Sequence, residues 1–255
     1  MFDANNALNL IAAQLQRGNG VQAVAMAEQA ISQYRNDGRL LEMAGLVYYE
    51  LSQIELAISR LEAATTLKPL SAIAQIRLAD CYWSVGLRES ALSIALFLEQ
   101  RFLENKINLS VATPLVHCLA ELDQFNAASR VCLRIFEQDD LNGHACYGIA
   151  WYRALDGQDL GDSIGWLEKA VVLAPENARY RITLGHAYAD VRDISAAVHT
   201  FLGFTPALIT GVKCCHCLLE MIDYLECYDS SQSKVVNDMK RQLAVINETR
   251  NREIF

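Results

Sequence analysis

Apolar residues recur at helical spacing along most of the chain. The pattern is clearest over 38–71, GRLLEMAGLVYYELSQIELAISRLEAATTLKPLS. One run passes through Leu41, Ala44, Gly45, Leu46, Tyr48 and Leu51, and a second through Leu56, Ala57, Leu61, Ala64 and Leu67. Such spacing places each run on one face of a helix. Ser52-Gln53-Ile54-Glu55 between them is short and mostly polar, as a connection between antiparallel helices is. Pro69 closes the second run, because proline cannot continue a helix and biases Lys68 away from helical dihedrals. Gly45, Ala57 and Ala64 leave little side chain where two helix axes must approach. A helix pair of this kind leaves one face of each helix uncovered, so the pattern predicts neighbouring pairs.

With Gly38 as position 1, small or apolar residues fall at positions 4, 7, 8, 11, 20, 24 and 27, with proline at 32: Leu41, Ala44, Gly45, Tyr48, Ala57, Leu61, Ala64 and Pro69. The arrangement resembles the tetratricopeptide repeat, whose period is about 34 residues. It recurs in 72–105 through Leu78, Ala79, Tyr82, Ala91, Ala95 and Leu98, and in 178–211 through Leu184, Gly185, Tyr188, Ala197 and Phe201. A degenerate first copy covers 4–37, with Gly18-Asn19-Gly20 at its turn. Lys106-Ile107-Asn108 reads as an insertion before a fourth copy, 109–140, whose first helix carries Pro114 near its start. The fifth, 141–177, matches through Tyr147, Gly148, Trp151, Ser163, Leu167, Ala170 and Pro175, and Asp156-Gly157-Gln158-Asp159 lengthens its inter-helix turn. In the sixth, Thr205-Pro206 reads as an N-cap and first helical residue, which cuts the second helix short. Two further helices are expected over 206–228 and 232–250, parted by Tyr228-Asp229-Ser230-Ser231.

The resemblance implies an all-α protein: an α-solenoid, a right-handed superhelix of about six helix-turn-helix repeats over 4–211, closed by capping helices over 212–255. In that family the first helix of each copy lines a concave groove through positions near 2, 5, 6, 9, 12 and 13. The residues this implies here are Arg39, Glu42, Leu46, Tyr49 and Glu50; Ile76, Arg77, Asp80 and Trp83; Thr113, His117 and Glu121; Asn142, Ile149, Tyr152 and Arg153; and Arg179, Ile182, His186 and Asp190. Aromatic anchors mixed with both charge signs suit capture of a protein or peptide segment. Some members clamp the carboxylate end of chaperone tails with lysines and asparagines. Leu8, Ala12, Leu46, Ile76 and Arg77 stand at those positions, so apart from one arginine the clamp is absent.

Composition narrows the function classes. The formal charge of −8 argues against a nucleic-acid surface, and no apolar run is long enough to span a bilayer. MFDANNALNL lacks a secretory pattern, which makes the cytoplasm the expected location. The eight cysteines fall mostly inside helical runs, where a reduced thiol acts as a small apolar residue. Cys214-Cys215-His216-Cys217 falls within the expected helix 206–228, where only Cys214 and Cys217 share a face, and Cys227 is the only nearby further thiol. A thiol-rich core seam is expected there, with no metal and no cofactor. His117 and His186 are expected to be structural. No Gly-rich phosphate loop, nucleophile elbow or zinc-protease motif is present. The expected function is a non-enzymatic interaction module. The alternatives are a chaperone or assembly factor for a bacterial secretion or surface apparatus, and a self-assembling structural subunit. The oligomeric state is left open.

Overall fold

The computed structural model describes residues 3–158, 161–228 and 233–252, with 250–252 as backbone alone; Asp159, Asp229, Ser230 and Ser231 lie outside the described residues. Among the described residues the chain is all-α. It divides into two compact units, Met1–Val131 and Cys132–Phe255.

The first unit holds α1 (Ala4–Gln16), α2 (Gly20–Gln33), α3 (Gly38–Glu50), α4 (Ile54–Thr65), α5 (Ala72–Ser84), α6 (Arg88–Leu103), a 3-10 turn (Leu109–Val111), α7 (Ala112–Glu121) and the start of α8 (Phe125–Gln138). The second holds the rest of α8, then α9 (Gly143–Leu155), a 3-10 turn (Gly161–Ser163), α10 (Ile164–Leu173), α11 (Ala178–Asp190), α12 (Ile194–Leu202), α13 (Pro206–Gly211), α14 (Cys215–Tyr228) and α15 (Lys234–Arg252).

Polar residues set the phase of the helices. Asp3, Asp37, Ser71, Asn108, Asn142 and Asn177 each accept a backbone N–H with the side chain at the start of α1, α3, α5, the first 3-10 turn, α9 and α11. Such caps satisfy donors that a helix start leaves orphaned. Fifteen residues after each cap the backbone turns left-handed, at Gly18, Ser52, Gly86, Asp123, Gly157 and Arg192, with φ between 57° and 83°. At every one of these turns the next residue's N–H returns to the carbonyl five residues back, as in Gln53 to Tyr48 (2.9 Å) and Asp193 to Tyr188 (2.9 Å). This is the Schellman stop. By these caps the fifth first helix begins at Gly143, two residues later than the apolar pattern places it.

Small residues let the helices close. A Cβ on Gly45 would lie 2.5 Å from Leu61 Cγ in the facing helix, and one on Gly185 only 2.2 Å from Phe201 Cε1. Side chains then tie successive pairs. Tyr48 and Tyr82 donate to Glu28 (2.9 Å) and Glu62 (2.7 Å) on the preceding pair, and Tyr188 donates to Glu168 in the second unit. Arg60 joins the first of these through Glu28 at 2.8 Å.

The C-terminal helices depart from expectation. No single helix spans 206–228: α13 stops at Gly211, and Val212 takes an extended conformation with its side chain buried. The carbonyls freed by the break, Thr210 O and Val212 O, accept the Gln242 side-chain amide at 3.3 and 3.2 Å. The cysteines there are not a core seam either. Cys81, Cys118, Cys132 and Cys146 are buried, but Cys214 and Cys227 are exposed and Cys215 and Cys217 half-buried. The core of this end is instead Phe201, Leu218, Met221, Leu225 and Met239.

Candidate partner-binding surfaces

In the first unit, α3 and α5 bring Tyr49, Arg77 and Asp80 together. Tyr49 donates its hydroxyl to Asp80 Oδ2 (3.0 Å), Arg77 Nη1 reaches the same carboxylate oxygen (3.3 Å), and the Arg77 guanidinium sits 4.6 Å over the Tyr49 ring. Burial, and after it the Asp80 charge, pushes the Tyr49 phenol up to about 12. Burial, followed by Asp80, also raises the Cys118 thiol on α7. Trp83 lies one turn beyond Asp80 on α5 under the Arg88 guanidinium (4.9 Å), which also pairs with Asp123 at 3.0 Å. The polar tips of Tyr49, Arg77 and Asp80 are thus satisfied by one another.

Other expected residues are placed differently. Arg39 is exposed but grips Asp37 (2.6 Å) and Asn5 (2.8 Å), and its hydrogen bond holds the Asp37 carboxyl below the usual range. Glu42 is buried, pairs with Lys68, and lies 3.4 Å from the backbone N–H of Ser71. Its carboxylate therefore clamps the second pair to the start of α5 rather than facing a groove. Ile76 and Ile149 are fully buried core residues, not surface ones. His117 is exposed, 3.8 Å from Glu121, and joins none of the clusters described above.

In the second unit, α9, α10 and α11 enclose a narrow cleft of about 170 Å³ lined by Ala150, Trp151, Ala154, Leu167, Thr183, His186, Ala187 and Asp190. Three alanines make the space and Trp151 forms a wall. Trp151 stacks near Tyr147 (6.0 Å, 14°), Tyr147 stacks on Tyr180 (4.6 Å), and Arg179 lies 5.5 Å over Tyr147 and 5.6 Å over Trp151. The His186 ring meets Phe201 edge-on at 5.5 Å, with Nε2 3.6 Å from Glu220. Of the expected residues, His186 and Asp190 line the cleft and Arg179 braces its wall.

Tyr152 and Arg153 do not line it. Burial raises the Tyr152 phenol, and its ring lies beside Gly148, where a Cβ would also touch Cys132 Sγ. The shift in helix start explains this. Counted from the Asn142 cap, the groove positions 9 and 12 of α9 fall on Trp151 and Ala154. Thr183, at position 6 of α11, was open to the same reasoning and was missed.

No family model matches the sequence, and no curated protein is similar to it. The backbone does resemble solved structures. The C-terminal part of a TPR repeat-containing protein from Cytophaga hutchinsonii superposes with a TM-score of 0.71 at 12% identity, covering 95% of this chain and 96% of that one. A tetratricopeptide repeat protein from Parabacteroides merdae gives 0.58 at 13%, covering 94% and 98%. YrrB, described as a TPR protein with an unusual peptide-binding site, gives 0.55 at 18%, covering 73% and 92%. The chain has the tetratricopeptide-repeat fold. Among the described residues no helix is long and apolar enough to cross a membrane.

Proposed function

We propose that the chain is a non-enzymatic protein-interaction module whose second unit captures one apolar side chain of a partner segment in the Trp151 cleft. The observation that carries this reading is the cleft itself. At about 170 Å³ it is smaller than the sites that hold drug-sized ligands, which run to about 300–1,000 Å³. It matches a single leucine or aromatic side chain, and aromatic residues are the commoner anchors of interfaces. Asp190 on its rim and Glu220 beside His186 favour a lysine or arginine next to that anchor, as does the net charge of −8. YrrB's peptide-binding site on the same fold is consistent with a peptide-like occupant. The buried free thiols suit a reducing compartment such as the cytoplasm.

The test is affinity capture from the native host, followed by titration of the captured segment by isothermal calorimetry. Ala154→Leu fills the cleft with a good helix former, and Asp190→Lys reverses the rim charge. Both variants are expected to weaken binding at least about tenfold with helical content unchanged, whereas Trp83→Ala in the first unit leaves it intact. Wild-type affinity in both second-unit variants would refute the assignment.

A further inference from the structure

The thiols at the start of α14 form a pair with unequal members. Cys214 is the residue before the helix: its carbonyl accepts the Leu218 N–H at 3.2 Å, and its sulfur accepts the backbone N–H of Cys217 at 3.2 Å. Residues three apart on one helix face hold their Cβ atoms about 5–6 Å apart, against about 3.5–4.5 Å in a disulfide. Rotation at Cys214, which precedes the first helical residue, takes up the difference. Donation from the Cys217 thiol, and then from backbone N–H groups, holds the Cys214 thiol below its ordinary range. Burial, with the Cys214 contact second, pushes Cys217 up to about 11. Cys214 is exposed and Cys217 half-buried. The other two thiols of this end stand apart. Cys215 Sγ turns to Asn247 Oδ1 on α15 at 3.6 Å, and Cys227 lies thirteen residues beyond Cys214, roughly 20 Å at the helical rise.

We propose that Cys214 and Cys217 form a reversible dithiol–disulfide site that exchanges with an external disulfide, Cys214 as the attacking sulfur and Cys217 as the resolving one. Cys214 loses its proton to solvent, and its thiolate attacks one sulfur of the external disulfide. The Cys214–S–S–R bond forms as the external S–S bond breaks, and the first thiolate leaves. Cys217 then gives up its proton, attacks Cys214 Sγ and expels the second thiolate. Two protein thiols are oxidised to one disulfide, and the external disulfide is reduced to two thiols. The unequal thiols suit these steps, since attack needs an exposed thiolate and resolution needs a second thiol close at hand, and the Cys217 backbone already rests on Cys214 Sγ at 3.2 Å.

The experiment takes the full chain, fully reduced, and equilibrates it with mixtures of oxidised and reduced glutathione. Acid quenching, alkylation, intact mass and peptide mapping follow. The expected result is a loss of two hydrogens, a 214–217 cross-link, and Cys215 and Cys227 still alkylated. Cys217→Ser is expected to trap glutathione on Cys214, and Cys214→Ser to leave Cys217 unoxidised. Alkylation of both Cys214 and Cys217 at every ratio would overturn the proposal, as would a cross-link to another cysteine or between chains. The wild-type mapping decides this even where a variant fails to fold.

Discussion

Gly185 offers a sharp test of the packing. It lies within α11, and an added Cβ would stand 2.2, 2.6 and 2.8 Å from Phe201 Cε1, Cζ and Cδ1. Ordinary carbon contacts fall at about 3.5–4.0 Å, so Gly185→Ala overlaps the ring by more than an ångström. Phe201 is fully buried, with His186 edge-on at 5.5 Å and Tyr224 at 5.6 Å, so the ring has no open side to move into. Overpacking of this kind costs about 1–3 kcal/mol, and the upper half of that range applies to an immobile ring. Alanine returns about 1 kcal/mol of helix propensity. The net expectation is about 1–2 kcal/mol of destabilisation.

Gly165→Ala is the matched control in the same unit. Nothing lies within 4 Å of its added Cβ, so it is expected to stabilise by about 0.5 kcal/mol. Urea unfolding in a Trp83→Phe background, which leaves Trp151 and Trp166 as the tryptophan fluorophores, compares the two within the second unit. Phe201→Leu added to Gly185→Ala removes the clash, so the double variant is expected to lose less than the two single losses combined. A Gly185→Ala midpoint at or above wild type would refute the close approach of α11 and α12.

Further measurements bear on the caps, the first-unit cluster and alkaline stability. Ser71→Ala removes the oxygen that accepts the Ala74 N–H at 3.3 Å and is expected to lower stability by about 1 kcal/mol in urea titration. Asp80→Ala leaves the Tyr49 hydroxyl and Arg77 without their shared acceptor, for about 1–3 kcal/mol; Asp80→Asn, which keeps an acceptor, is expected to lose less, and equal losses would deny the carboxylate its bridging place. Tyr49, Tyr82 and Tyr188 are each pushed up to about 12, by burial first, so the folded state holds their protons longer than the unfolded chain does. Their contribution is complete below the unfolded value of about 10 and is lost as pH rises through 12. The urea midpoint should fall across that window, and less steeply for Tyr82→Phe; an identical slope would count against the burial of the Tyr82 phenol.

The apolar period made the all-α repeat fold legible, because positions such as Ala44, Leu61, Ala79 and Ala95 must be small or apolar for helix pairs to pack. It did not fix the phase everywhere. In the fifth copy, Gly148 matches the small-residue pattern of Gly45 and Gly185, yet it faces Cys132 on α8 instead of a partner in its own pair. Asn142 carried the correcting signal, standing fifteen residues before a left-handed turn as Asp37, Ser71, Asn108 and Asn177 do. Polar caps report the phase more faithfully here because a helix start tolerates few residue types, whereas an apolar face tolerates many. The left-handed turn residues were harder to read, since Ser52, Asp123 and Arg192 share that role with three glycines. The break after Gly211 was hidden for another reason. Val212 continues the apolar pattern, and the amide that stabilises the interruption comes from Gln242, thirty residues away.

The corrected phase also separates the two candidate surfaces. At position 12 the first unit carries Tyr49 and Trp83, whose polar and cationic neighbours are already engaged, so a partner gains little without breaking the Tyr49–Asp80–Arg77 contacts. At the same position α9 carries Ala154, and the missing bulk is what opens the cleft beside Trp151. Burying one leucine or phenylalanine there contributes about 1.5–3 kcal/mol, roughly ten- to a hundredfold in affinity. One side chain therefore cannot hold a partner alone. Contacts along the rim, near Arg179 and Asp190, must supply the rest, and closing the cleft with Ala154→Leu should weaken binding by that factor instead of abolishing it.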